Sequence, residues 1–185
     1  GQTAADGFVF DAPEPEFGAL SLQQVYQLSS PQYTGKSTVP LLLDTTTKSM
    51  VSNESIDLAV ALAKTENGDK SSLLPEGAEE LARDISSHIT LAVYKFLFIE
   101  KEVKTSVLEK LLLQLDHYEG LLQKQRYIMG DEQITLPDCV LWSSLIRYDN
   151  VYVRQFGLTG KTIRKDYPAL TQYIKRIWNL EIRSG

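Results

Sequence analysis

The rhythm of apolar positions changes partway along the chain. Before residue 70 the runs are short and mixed. Residues 1–19 are rich in Gly, Pro and acidic side chains and predict loop, apart from the apolar Phe8-Val9-Phe10. Ser21–Leu28 predicts a short helix, with Leu20, Val25 and Leu28 spaced to share one face. Ser29–Lys36 is turn chemistry punctuated by Pro31 and Gly35. The continuous apolar run Leu41-Leu42-Leu43 within Thr38–Asp44 predicts a buried strand, and Ser49–Ser52 predicts a second. The polar residues Thr45–Lys48 between them predict a hairpin. Helical spacing returns over Glu54–Lys64 through Ile56, Leu58, Val60 and Leu62.

Thr65–Ser72, with Asn67-Gly68-Asp69, is the best boundary in the chain. Beyond it the spacing is helical almost throughout. Pro75 suits the first turn of a helix running toward Glu100. Thr105–Gln125 carries a wide face of Val107, Leu108, Leu111, Leu112, Leu115, Leu121 and Leu122. Asp166-Tyr167-Pro168 opens a last helix that Asn179 closes. The pattern predicts an α/β piece over residues 1–70 and an all-helical domain over residues 71–185.

Two local features carry a mechanism. Thr135-Leu136-Pro137-Asp138 fits a capping box, in which hydroxyl and carboxylate satisfy orphan amides reciprocally at a helix start. Ile134 before the cap and Cys139 after it are placed to close an apolar staple, which favours burial of Cys139. Val39-Pro40 sits before an apolar strand, where Pro cannot donate to the ladder. The dipeptide reads either as an ordinary trans Pro opening a strand or as a cis bond that frees the Val39 backbone for a ligand.

Composition narrows the classes. The chain has 185 residues, 43% hydrophobic and 23% charged, which excludes disordered and collagen-like chains. Nineteen basic against 24 acidic residues give a net charge of −5, which argues against a nucleic-acid binder. The single Cys cannot form an internal disulfide and suits a reducing compartment. Leu91–Ile99, interrupted by Lys95, is too short for a transmembrane segment, and Gly1–Asp6 has no leader pattern. The sequence reads as soluble and intracellular. His88 and His117 lack a second ligand at helical spacing, so no metal is expected. Glu79-Glu80 and Glu100-Lys101-Glu102 read as solvated faces.

Longer segments carry a resemblance. Tyr33–Asp44, then Val51-Ser52-Asn53-Glu54-Ser55, Val93-Tyr94-Lys95, Arg126–Asp131, Thr135-x-x-Asp138, Arg147-Tyr148-Asp149-x-Val151-Tyr152-Val153 and Ile163–Leu170 resemble, in order, the xi-class glutathione transferases, the glutathionyl-hydroquinone reductases. The resemblance runs from about Gly7 to Trp178. It implies a partial thioredoxin-like domain followed by a glutathione-transferase C-terminal helical domain. It also implies glutathione as the cofactor, with the Val39 main chain holding the cysteinyl part beside cis-Pro40. Glu54 and Ser55 would bind the γ-glutamyl end. A Glu suits an α-ammonium, and a Ser with helix N-terminal amides suits an α-carboxylate. On the residues alone, Asn53-Glu54-Ser55 also reads as a plain helix cap. Tyr94 and Tyr152 match tyrosines of the family's quinone site; on the residues alone they also read as core aromatics.

The departures bear on activity. The family's reaction needs a Cys in Cys-Pro-Trp-Ala, at a helix N-terminus that lowers its pKa, and this sequence contains no such motif. The resemblance begins after the family's first strand, first helix and second strand, and ends before its C-terminal tail. Cys139 follows the acidic Asp138 and reads as structural. Leu43 stands for a Trp, Ile56 for a Ser, Gln155 for a His, and Gly157-Leu158-Thr159 for Lys-Cys-Asn. The expectation is a glutathione transferase-like pseudoenzyme acting with other protein subunits or a homodimer partner, in a plastid or the cytoplasm. The alternative is part of an active thiol-dependent transferase whose catalytic Cys lies upstream.

Overall fold

The structure, a computed structural model, describes residues 3–4, 7–65, 72–158 and 160–180. It forms two compact units, Gly1–Ala61 and Leu62–Gly185. The boundary expected at residue 70 lies outside the described residues.

In the first unit, strands β1 (Thr3–Ala4) and β2 (Gly7–Phe8) pair antiparallel, with Thr3 opposite Phe8, where the composition predicted loop. Two-residue strands leave no periodicity to read. Helix α1 (Leu22–Ser29) starts after Ser21, whose hydroxyl accepts the Gln24 amide at 3.3 Å. It buries Leu22, Val25, Tyr26 and Ser29. The predicted face is therefore corrected: Leu20 precedes the cap, and Leu20 and Leu28 are about half exposed.

Strands β3 (Leu42–Asp44) and β4 (Ser49–Ser52) form the expected hairpin, with a bulge between Leu42 and Leu43. The Asp44 carboxylate accepts the Thr46 and Thr47 amides at 2.8 and 3.1 Å and so folds the connecting turn. β3 was expected to be buried, but Leu42 is exposed and Leu43 and Asp44 are only half-buried. Among the described residues β3 pairs with β4 alone, which leaves its other edge open. Helix α2 (Ser55–Thr65) follows and buries Val60 and Ala63.

The second unit is helical. The helix expected from Pro75 to Glu100 begins instead at α3 (Ala78–Ile85), because Gly77 at φ 80° breaks the backbone and the Pro75 carbonyl accepts the Ala78 amide at 2.9 Å. A π-helical turn, Ser86–Thr90, then joins α3 to α4 (Leu91–Phe98). Helix α5 (Lys101–Leu122) follows, and α6 (Leu136–Arg147) runs on into a second π turn, Tyr148–Val153. Helices α7 (Ile163–Asp166) and α8 (Pro168–Trp178) complete the unit. Ile85, Ile89, Leu111, Leu115, Leu141, Leu145 and Leu170 are fully enclosed and form the centre of its core. Glu119 on α5 ties the unit together, accepting the Ala169 and Leu170 amides at 2.9 Å each and so satisfying the N-terminus of α8. No described helix is long and apolar enough to cross a membrane.

Candidate functional site

The four residues implicated in glutathione binding all lie in the first unit. The Val39–Pro40 peptide is cis rather than the ordinary trans. Both residues are exposed, and Val39 is 66% accessible. Glu54 immediately precedes α2, and its carbonyl accepts the Leu58 amide at 3.0 Å. Ser55 is the first residue of that eleven-residue helix, and both its side chain and that of Glu54 are exposed. The Glu54 amide is itself held by the Ser52 hydroxyl at 3.1 Å. Glu54 and Ser55 thus act as helix start and remain accessible at the positive end of the helix dipole.

A tyrosine pair links these two segments, and the sequence reading missed it. The Tyr26 hydroxyl donates to the Thr38 carbonyl at 2.7 Å, one residue before Val39. The Tyr26 ring packs on that of Tyr33 at 4.9 Å between centroids. The Tyr33 hydroxyl accepts from the Asn53 side-chain amide at 3.0 Å, one residue before Glu54, and donates to the Lys36 carbonyl at 3.0 Å. The cis-Pro segment and the α2 N-terminus are therefore set by one connected network. Gly35 is part of it: a Cβ there would collide with the Tyr33 hydroxyl and ring. The signal for this network was present only as Tyr26, Tyr33 and Asn53 scattered over 28 residues of helix, turn and strand, with no periodicity to join them.

Tyr94 and Tyr152 lie in the helical unit and differ sharply. Tyr94, on α4, is 41% exposed. Tyr152, in the second π turn, is buried, stacked on Phe156 at 5.9 Å and edge-on to Tyr148 at 6.1 Å. The hydroxyls of Tyr148 and Tyr152 are buried without a protein hydrogen-bond partner, the kind of group that points to an ordered water or a role at a site. Burial pushes the Tyr152 phenol up, the Arg147 charge opposes that, and Tyr94 adds to it. The π turn carries two unpartnered hydroxyls, and those of Ser29 and Tyr167 elsewhere are likewise buried without a partner; π turns concentrate at functional sites.

The capping box forms at α6. Fully buried Asp138 does more than close it. Its Oδ2 accepts the Thr135 amide at 2.8 Å and the Thr135 hydroxyl at 2.7 Å, while its Oδ1 accepts the Ile128 amide at 2.9 Å and the Tyr173 hydroxyl at 3.0 Å. Burial and the nearby carboxylate hold the Tyr173 phenol far above its ordinary range. Cys139, expected to be buried, is exposed. Ile134 packs on the core, but Cys139 turns to the surface and does not complete the staple. Enough protein still surrounds its thiol to push the pKa up, and the Asp138 charge acts in the same direction. A poor thiolate results. Gln155 and Gly157 are exposed, and Leu158 is buried; Thr159 lies outside the described residues. His88 pairs with Asp84 at 2.9 Å, and no group of three or more His, Cys, Asp or Glu able to hold a metal occurs among the described residues.

The family described as "Glutathione S-transferase, C-terminal domain" matches residues 78–176. "Glutathione S-transferase omega-like 2" of Saccharomyces cerevisiae is 30% identical over 206 residues, covering 94% of this chain and 56% of that protein. "Glutathionyl-hydroquinone reductase YqjG" of Escherichia coli is 31% identical over 167 residues, covering 86% of this chain and 50% of that protein. The chain spans about half the length of the curated relatives it matches. Among solved structures, glutathione transferase Xi 1 of Trametes versicolor superposes with a TM-score of 0.81 at 30% identity, covering 95% of this chain and 66% of the other. The glutathione-bound structure of Escherichia coli YqjG gives 0.78 at 29% identity, covering 95% and 61%.

Proposed function

This chain belongs to the glutathione transferases, in the xi class of the glutathionyl-hydroquinone reductases, and from that premise we propose that it holds glutathione without itself supplying the reacting thiolate. The observation that carries the reading is the network Thr38–Tyr26–Tyr33–Asn53, which fixes the segment before cis-Pro40 and the start of α2 relative to each other. The Val39 main chain pairs with the cysteinyl backbone of the tripeptide, as an extended peptide does at a strand edge. The Glu54 carboxylate takes the α-ammonium by a charge-assisted hydrogen bond. The Ser55 hydroxyl and the first amides of α2 take the α-carboxylate. In the helical unit, Tyr94 and Tyr152 hold the phenolic oxygen of a hydroquinone.

The sulfur chemistry lies outside these residues. The chain's one thiol, Cys139, has a raised pKa and follows a buried carboxylate. A thiolate that attacks a glutathionyl conjugate therefore comes from a polypeptide segment beyond the 185 residues. The unpaired edge of β3 favours a larger assembly in which such a segment pairs along it. That segment belongs to another subunit, and a plastid or the cytoplasm suits the reducing chemistry.

Calorimetric titration with glutathione tests the binding half. Glu54→Gln removes the charge that pairs with the α-ammonium and should weaken binding about tenfold, the size of one charge-assisted bond. S-methylglutathione should bind as well as glutathione, because no protein sulfur engages its thiol. Equal affinity of wild type and Glu54→Gln would refute the assignment, and reduction of a glutathionyl-hydroquinone by the isolated chain would refute the external thiolate.

A further inference from the structure

The charge of the chain is carried by one of its two units. Residues 1–61 hold seven acidic and two basic side chains, and residues 62–185 hold seventeen of each. The whole net charge of −5 therefore falls on the first unit, and the helical unit is neutral. Of the two cations, Lys48 is already engaged: it donates to the Glu16 carbonyl at 2.6 Å and lies over the Phe17 ring. On this acidic unit lies an apolar groove of about 350 Å³, lined by Phe8, Val9, Phe10, Leu22 and Val39, with Asp11. Phe8 and Val39 are 48% and 66% exposed, Val9 and Phe10 are half-buried, and Leu22 closes the inner side. The wall is preformed. Val9 bridges to Ser21, and the Phe10 amide donates to the Leu20 carbonyl at 2.9 Å. Asp11 is exposed and forms no ion pair among the described residues. An apolar hollow with an available carboxylate, on a surface of one sign, selects an occupant that is both apolar and cationic.

We propose that this groove seats a polypeptide segment of another subunit, one whose apolar side chains alternate with Lys or Arg. The apolar side chains enter between Phe8 and Val39, and a cation meets Asp11. The proposal rests on the reading that places glutathione at Val39: a segment that delivers a thiolate must reach the sulfur of that tripeptide, and the groove shares the Val39 wall. Val39 also leads through Pro40 to β3, along whose unpaired edge the same segment can continue as a strand. A second copy of this chain suits the groove poorly, because neither its acidic first unit nor its neutral helical unit has an excess of cations to offer.

Fluorescence anisotropy of labelled peptides, titrated with the full chain at low salt, tests this. The probe Lys-Phe-Lys-Val-Lys-Phe places apolar and basic side chains on opposite faces of a strand. It should bind about tenfold more tightly than Glu-Phe-Glu-Val-Glu-Phe, through the charge of the unit, and about tenfold more tightly than Lys-Ser-Lys-Ser-Lys-Ser, through the groove. Phe8→Ser should remove most of the second advantage. Asp11→Asn should lower the first about threefold, the size of one exposed charge pair. Both side chains reach the surface, so the urea midpoint should hold, and a folding defect would be visible separately. The probe is measured without glutathione, so failure of the Glu54 assignment leaves this test intact. Added glutathione should leave the probe bound, since it takes the Val39 main chain and not the groove. Equal binding of the basic and acidic probes, binding indifferent to Phe8→Ser, or displacement by glutathione would overturn the proposal. So would a native mass of two chains with the probe excluded.

Discussion

Replacing Asp138 by Ala should be among the most damaging single changes to the helical unit, and the size can be worked from its partners. Removal of the carboxylate leaves the Thr135 and Ile128 amides without their acceptor and leaves the Tyr173 hydroxyl only the main-chain carbonyl of residue 138 at 3.2 Å. Thr135, Ile128 and Tyr173 are all buried, so water reaches them poorly. A buried donor left unpaired costs about 1–3 kcal/mol. Release of a buried charge and partial hydration of the new space offset part of the sum. The expected loss is about 3–5 kcal/mol. Thr135→Ala, which removes only the hydroxyl side of the box, should cost about 1 kcal/mol. Urea denaturation followed by tryptophan fluorescence is the assay, because both tryptophans, Trp142 and Trp178, lie in the helical unit. With a slope of about 1.5 kcal/mol/M, the midpoint should fall by about 2–3 M for Asp138→Ala and about 0.7 M for Thr135→Ala. Comparable shifts for the two variants would refute the argument, because they would make Asp138 only a helix cap.

Other outcomes follow from the same geometry. Glu119→Gln replaces one of two acceptor oxygens by a donor facing an amide and should cost about 1–2 kcal/mol in the same assay; an unchanged midpoint would show that α8 is capped otherwise. Gly35→Ala should displace the Tyr33 hydroxyl and weaken glutathione binding, and Tyr33→Phe should do the same without the collision; unaltered affinity in both would detach the tyrosine pair from the site. Alkaline pH should unfold the helical unit through its buried phenols. Tyr118 is pushed up to about 12 from an ordinary 10.0, mainly by burial, so the folded state keeps a proton that the unfolded state releases. That contribution is whole below pH 10 and lost as pH rises toward 12, and tyrosinate absorbance should appear together with unfolding. Full ionisation in a still-folded chain would contradict the burial.

Legibility in the sequence followed the range of the interactions. The capping box is local, four residues long, and forms where Thr135-Leu136-Pro137-Asp138 stands. The hairpin of Leu42–Asp44 with Ser49–Ser52 was equally readable, since its turn is folded by Asp44 at its own start. The π turn at Ser86–Thr90 was not, because Ile85, Ile89 and Val93 keep an unbroken apolar spacing through it. Exposure of Cys139 escaped prediction because a staple needs both of its partners, and only Ile134 packs inward. On α1 the large Tyr26 takes an interior place that the pattern gave to Leu28. The network through Tyr26, Tyr33 and Asn53 depends on tertiary contact alone. Glu54 and Ser55 were assigned to glutathione through resemblance rather than physics, since a helix cap and a ligand site draw on the same residue types.

The clamp between Glu119 and the start of α8 also has a meaning in time. Its halves are about 50 residues apart, and at ordinary rates of synthesis the amides of Ala169 and Leu170 emerge about 3–10 s after the carboxylate. During that interval Glu119 remains hydrated, because a lone charge is expensive to enclose. The side of α5 that carries it therefore stays open on the ribosome while α6 and its cap can already form. Arrival of Pro168-Ala169-Leu170 supplies the two donors at once and admits the charge to the interior. The order of chain growth thus becomes the order of closure, with α8 as the last piece seated.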